Sequence, residues 1–240
     1  MRSVARGQLG TTIVEIAVGL AVGSLMVAGI LLLVEQAQKT YMHSSEVTDL
    51  QQNVRVAMDR MVSIIQAAGV NPVNKTWGGA APNNSAFTAF REAGRNCIRL
   101  YADLNGDGLV TGTDENVYFF WPTTPTTGAP LRETRGTVGG QPDSGQPWVA
   151  ASAGAEELAR DIVPNPGGTD MFQYFTGPDD ASPNTQLTPP ALSTTTCSSL
   201  SDVNRARVRR VVITVTGQAT IGSEILKKTL VSDARGRNVP

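Results

Sequence analysis

The stretch that decides the fold is TTIVEIAVGLAVGSLMVAGILLLV, from Thr11 to Val34. It is long enough to cross a bilayer, since about 20 apolar residues span the hydrocarbon core. Arg2 and Arg6 precede it, whereas the flank after it, 35–39, is nearly neutral. The excess of positive charge on one side predicts a single-pass membrane protein with a cytoplasmic N-terminus and the bulk of the chain outside.

One charged residue, Glu15, lies inside this apolar stretch. A cleaved secretory signal is a poor match, because the stretch is too long and no small-x-small cleavage site follows it. A plain signal anchor fits the hydropathy but gives no reason for Glu15, because an ionised side chain in a spanning helix is costly. A glutamate that extends to the interface is a further alternative.

Gly10, followed by Thr11-Thr12-Ile13-Val14-Glu15, resembles the prepilin peptidase site of type IV pilins. The resemblance implies that residues 1–10 are a leader removed after Gly10 and that Thr11 becomes the N-methylated first residue. Glu15 is then fifth, and in that family its carboxylate pairs with the amine of a neighbouring subunit. The family usually has phenylalanine where this chain has Thr11.

Apolar residues continue beyond the membrane stretch at spacings of three and four, which predicts an amphipathic continuation of the helix over 35–70. The predicted buried stripe consists of Val47, Leu50, Val54, Met58, Met61, Ile65 and Ala68. Gly69 and Pro72 supply a stop. The segment DLQQNVRVAMDRMVSIIQAAG resembles the PilW-type minor pilins, and a generic coiled-coil stalk is the alternative.

The resemblance implies a structural minor pilin that takes part in the assembly or priming of a type IV pilus, including at its tip. Its implied partners are other pilins through the N-terminal helix, the prepilin peptidase and the inner-membrane assembly platform. A type II secretion pseudopilin shares the same N-terminal pattern. The sequence has no recognisable nucleophile elbow, phosphate loop or multi-histidine motif, so a membrane-tethered periplasmic enzyme or binding protein is less favoured. We expect no catalytic residues.

The numbers of basic and acidic residues indicate which kinds of partner to expect. The chain has 20 basic and 21 acidic residues, which does not predict nucleic-acid binding except through a DNA-uptake pilus. Basic residues are nevertheless concentrated at Arg205, Arg207, Arg209 and Arg210. This cluster is either a solvated strand face or a site for an acidic partner.

Residues 71–240 are predicted to form one β-rich globular domain. Strands are expected at 98–101, 117–121, 171–175, 207–216 and 224–232, and the remainder of 122–201 is expected to be surface loops. The predicted fold class is therefore α+β, with a long N-terminal helix packed on an antiparallel sheet.

Two cysteines, Cys97 and Cys197, are the only ones in the chain. An even count in an exported domain favours a disulfide, and two buried thiols are the alternative. With one histidine and no third cysteine, a zinc site built on these residues is disfavoured.

An aspartate-rich segment, DLNGDGLVTGTDE, separates the first two predicted strands. Oxygen ligands at alternating positions, with a glycine at the sixth, are typical of an EF-hand-type calcium loop, here without the flanking helices. The predicted ligands are Asp103, Asn105, Asp107, Leu109 through its carbonyl, Thr111 and Asp114, with Glu115 adjacent. A hairpin built on Asn-Gly and Asp-Gly turns, which needs no ion, stays open as the alternative.

Overall fold

The computed structural model describes residues 12–68, 90–102, 104–105, 114–122, 128–136, 154–191, 197–221 and 224–236. These residues form one long helix and an antiparallel sheet, which confirms the predicted α+β class. The helices are α1 (Ile13–Ala67) and the short α2 (Asp202–Ala206). The strands are β1 (Phe90–Ala93), β2 (Cys97–Tyr101), β3 (Asn116–Phe120), β4 (Ala129–Gly136), β5 (Glu156–Val163), β6 (Phe172–Thr176), β7 (Gln186–Leu187), β8 (Val208–Ile221) and β9 (Glu224–Arg235).

The described sheet has nine strands, and every pairing is antiparallel. Its order is β1-β2-β3-β4-β5-β8-β6-β7, and β9 pairs with β8. The long strand β8 carries β6 along its first half and β5 near Gly217 on one edge, while β9 runs along the other. Three strands, β5, β6 and β9, therefore pair with β8.

The chain divides into two compact units, residues 1–46 and 47–240, and the helix α1 passes from one to the other. Within the second unit, the buried side of α1 follows the predicted stripe closely. Leu50, Val54, Met58, Met61, Ile65 and Ala68 are buried as predicted, Ala57 and Ile64 join them, and Val47 is only half-buried. The predicted helix extends to residue 70, whereas α1 ends at Ala67; Gly69 and Pro72 lie outside the described residues.

The helix packs very closely against β8 at Gly217. A Cβ atom at this position would lie 2.7 Å from Leu50 Cδ1 and 2.7 Å from Val54 Cγ2. Glycine therefore lets the helix approach the strand to a distance that a larger residue would prevent. Helix α1 also contacts strand β4, where the carboxylate of Glu133 accepts two hydrogen bonds of 3.2 Å from the guanidinium of Arg60.

The prediction that 122–201 is mostly surface loops is wrong in part. The strand expected at 171–175 is present as β6, but β4, β5, β7 and a short 3-10 turn (Pro166–Gly168) also lie in this region. Their sequences, such as APLRETRG in β4, place charged residues among the inward positions and so lack a clear alternation of apolar side chains. Strand β1 and helix α2 were also not predicted.

Candidate functional site

The start of α1 is organised by Thr12 and Glu15. The backbone N–H of Thr12 donates to Glu15 Oε2 at 3.0 Å, and the backbone N–H of Glu15 donates to Thr12 Oγ1 at 3.3 Å. This reciprocal pair is a capping box, which satisfies amides that the first helical turn leaves without partners. The Thr-x-x-Glu signal was present in the sequence and was missed. Gly10 and Thr11, the other predicted processing residues, lie outside the described residues.

The box leaves one carboxylate oxygen for another function. The hydroxyl of Thr12 approaches Glu15 Oε2 at 3.4 Å, so all three contacts between the two residues leave Oε1 unused. Glu15 therefore caps the helix through Oε2, and these contacts do not use its second carboxylate oxygen.

The first part of α1 exposes apolar side chains in every direction. All large apolar residues between 13 and 34 are 46% to 84% exposed. Among the described residues, α1 is the one helix long and apolar enough to cross a membrane, by length and composition. It is consistent with a single-pass membrane anchor.

Small residues on α1 continue the line that begins at Glu15. Gly19 and Gly23 follow Glu15 at successive steps of four, so the three lie on one side of the helix. A Cβ atom added at either glycine would meet nothing within 4 Å in the described chain. The G-x-x-x-G spacing allows the backbones of two membrane helices to approach closely. This motif was also missed in the sequence.

A disulfide joins Cys97 and Cys197, which confirms the predicted pairing. Their Cα atoms are 5.9 Å apart, and both residues are buried beside Tyr118 and Phe120. Gly94 faces the two sulfur atoms, and a Cβ atom there would come within 2.8 Å of Cys197 Sγ. The bridge therefore ties the first residue of β2 to the segment that leads into α2.

A group of buried charges accompanies the bridge. Arg99 lies 3.4 Å from the carboxylate of Glu92 and stacks over the ring of Tyr118, with the guanidinium carbon 4.7 Å from the ring centroid. Burial raises the pKa of Glu92, and Arg99 opposes this effect. Burial also raises the pKa of Tyr118. Arg205 is buried as well and pairs with Asp202, which separates it from the other arginines of the predicted basic cluster.

The aspartate-rich segment connects β2 to β3, so its flanks are strands as predicted. Asp103, Asp107, Leu109 and Thr111 lie outside the described residues. Asn105 and Asp114 are described, and both are exposed, whereas Glu115 is 2% exposed. Of the two carboxylates at the end of this segment, Asp114 is therefore the one accessible to an ion.

Calcium binding by this segment stays a prediction. An ion bound only by the folded protein should raise the melting temperature of the full chain in neutral detergent, because binding the native state stabilises it. Millimolar calcium is expected to do so, and magnesium to do so less, because magnesium demands stricter geometry. The increment should vanish in Asp103→Asn/Asp107→Asn and persist in Asp49→Asn. No change of the melting curve with calcium would leave the ion-free hairpin as the correct interpretation.

No family model, curated protein or solved structure matches this chain.

Proposed function

We propose that this chain is a structural minor subunit of a type IV pilus. In this proposal α1 holds the subunit in the inner membrane, with its N-terminus in the cytoplasm and the β-rich domain in the periplasm. After the leader is removed at Gly10, the same helix joins the core of the filament. The observation that carries the proposal is an apolar helix exposed on all sides, with a single carboxylate in its first turn.

A helix with this surface needs apolar surroundings in both of its states. Lipid provides them before assembly, and the matching helices of other subunits provide them in the filament. The glycines at Gly19 and Gly23 support such packing, since helix association in membranes favours small residues at the contact. The resemblance of residues 10–15 to a prepilin peptidase site implies the cleavage that comes before the helix leaves the lipid and joins the filament.

The capping box suggests how Glu15 serves both the helix and the filament. Cleavage after Gly10 leaves the N–H of Thr12 in a peptide bond, so the box survives processing. The carboxylate can keep this hydrogen bond through Oε2 while Oε1 accepts the terminal amine of a neighbouring Thr11. A carboxylate buried among helices then gains the charged partner that makes its burial tolerable.

The aspartate-rich segment between β2 and β3 favours a second candidate, a type II secretion pseudopilin. That group has calcium-binding members. Genes beside the coding sequence distinguish the two assemblies, since a secretion system and a retractable pilus require different ATPases.

The proposed cleavage after Gly10 can be tested directly on the purified protein. The protein purified from filaments should begin at Thr11 and carry one additional methyl group, and Gly10→Val should retain the leader. Mass spectrometry of the intact protein checks both. An unprocessed wild-type N-terminus, or a cut after residue 34, would contradict the assignment.

Three variants in the same host separate the two functions of Glu15. Glu15→Gln should reach the membrane normally but enter filaments at least about tenfold less, because it cannot pair with an amine. Thr12→Ala removes the hydroxyl of the box and keeps the carboxylate, so it should still be incorporated. Glu46→Gln, on an exposed part of the same helix, is the charge-matched control. Equal incorporation of all three would exclude Glu15 from assembly.

A further inference from the structure

Four arginines surround one cavity at the end of the sheet. Arg207 directly precedes β8, Arg209 and Arg210 lie at the beginning of β8, and Arg235 is the last residue of β9. The cavity measures about 340 Å³, and Gly177 and Asp180 also line it. We call the cavity that these four arginines line the arginine cavity.

A β-bulge brings neighbouring arginines to the same cavity. In the pairing of β6 with β8, Phe175 lies opposite Arg210 and Thr176 lies opposite Val208, so Arg209 is the extra residue. Adjacent residues of a regular strand point to opposite faces, and a bulge redirects one of them. The backbone irregularity is therefore what allows Arg209 and Arg210 to line one cavity.

Gly177 provides the space that Arg209 occupies. A Cβ atom at Gly177 would lie 2.8 Å from Cγ of Arg209 and 3.4 Å from its Cβ. These are atoms of the base of the side chain, which cannot move away without moving the guanidinium. The glycine thus fixes the position of Arg209 without adding any charge.

Arg210 and Arg235 are direct partners across β8 and β9. Like charges placed opposite each other destabilise a pair of strands. Arg210 is held in this position by the ring of Phe175, 4.2 Å from its guanidinium carbon, and by Asp233 at 3.5 Å. Its Nε–H is buried without a hydrogen-bond partner among the described residues. An arrangement that breaks a local rule in this way is typical of a functional site.

Carboxylates neutralise only part of this charge. Asp180 accepts hydrogen bonds of 3.0 and 2.7 Å from Arg207, which lower the pKa of Asp180 to about 2 and keep the pair ionised. Arg209 donates only to the backbone carbonyls of Ala206 and Val208 within the described chain. Arg235 forms no ion pair with any described residue.

Asp179 also lines the cavity and opposes anion binding. The four arginines still outnumber the two lining aspartates, and one of those aspartates is already bound by Arg207. The lining of the cavity therefore carries a net positive charge.

We propose that the arginine cavity binds a small oxyanionic ligand through Arg209 and Arg235. Guanidinium groups bind carboxylate, sulfate and phosphate through paired hydrogen bonds. The volume suits a ligand of about one sugar ring rather than a bare ion alone. The relevant class is therefore a small molecule or sugar residue that bears one of these groups. This site does not depend on the function proposed above.

Titration calorimetry of the full chain in neutral detergent tests the site at constant ionic strength. The probes are sulfate, phosphate and glucuronate, with glucose as the neutral analogue. We expect saturable binding of at least one anion and none of glucose. Tighter binding of glucuronate than of sulfate and phosphate identifies a sugar acid as the ligand class, and the reverse identifies an inorganic oxyanion or its ester.

Variants then locate the binding. Arg209→Gln/Arg235→Gln should weaken it at least about tenfold, since each residue supplies charged hydrogen bonds. Lys227→Gln/Lys228→Gln removes the same charge from exposed positions of β9 and should bind as the parent does. Gly177→Ala keeps every charge, displaces Arg209 and should also weaken binding. Arg235→Gln alone, at an exposed side chain, keeps the test valid if the double variant does not fold.

Two results would overturn the proposal. One is the absence of saturable binding by all three anions. The other is equal affinity in the parent and in Arg235→Gln.

Discussion

Replacing Cys97 and Cys197 together with alanine is expected to lower the free energy of unfolding by about 2–5 kcal/mol. The bridge closes a loop of 100 residues, so its loss restores a large amount of conformational freedom to the unfolded chain. Both positions are buried, and alanine introduces no polar group there. Urea unfolding of the full chain in neutral detergent measures the change.

Reduction supplies an independent comparison for this prediction. The parent protein treated with a thiol reductant should unfold at nearly the same urea concentration as the double alanine variant, and the variant itself should not respond to the reductant. Thiol titration of the untreated parent should find no free thiols. An unchanged unfolding midpoint in the variant would show that the bridge adds little stability.

Shortening Ile65 to alanine is expected to cost about 2–5 kcal/mol, because the change removes buried methyl groups and leaves a cavity. Ile65 is completely buried, and it lies in the main core with Met61 and Ile64. Alanine favours the helical conformation, so α1 itself should persist. The same urea experiment reports the loss, and circular dichroism checks that the helix remains.

Val56 provides the matched control on the same helix. It is 67% exposed and lies nine residues before Ile65, so Val56→Ala removes methyl groups from the opposite environment. We expect a change within about 0.5 kcal/mol for this variant. Equal costs for the two substitutions would mean that the packing of this part of α1 does not contribute to the stability of the domain.

Several elements were predicted from the sequence because their apolar residues follow a clear pattern. The membrane stretch, the stripe from Leu50 to Ala68, and strand β8 each show a clear apolar pattern. Strand β4 was missed because Glu133 occupies a buried position, where its carboxylate is bound by Arg60 of α1. The two residues are 73 positions apart, and no local pattern reveals that they are partners.

The candidate sites also differ in how much of them the sequence reveals. The capping box of Thr12 and Glu15 and the glycines that follow it are local motifs, and a closer inspection of the sequence would have found them. The arginine cavity is only partly local. Arg207, Arg209 and Arg210 form a visible cluster in the sequence, but Arg235 joins them only through the register of β8 with β9.

The pairing of three strands with β8 has a consequence for the newly made chain. Ribosomes release a protein from its N-terminus, so β8 and β9 are the last of the described strands to emerge. Strands β1 to β5 can pair with one another as they appear, whereas β6 and β7 pair with each other and join the rest of the described sheet through β8. The described sheet is therefore joined only after β8 has emerged, and a chain that stops before residue 208 would retain unpaired strand edges, which invite aggregation.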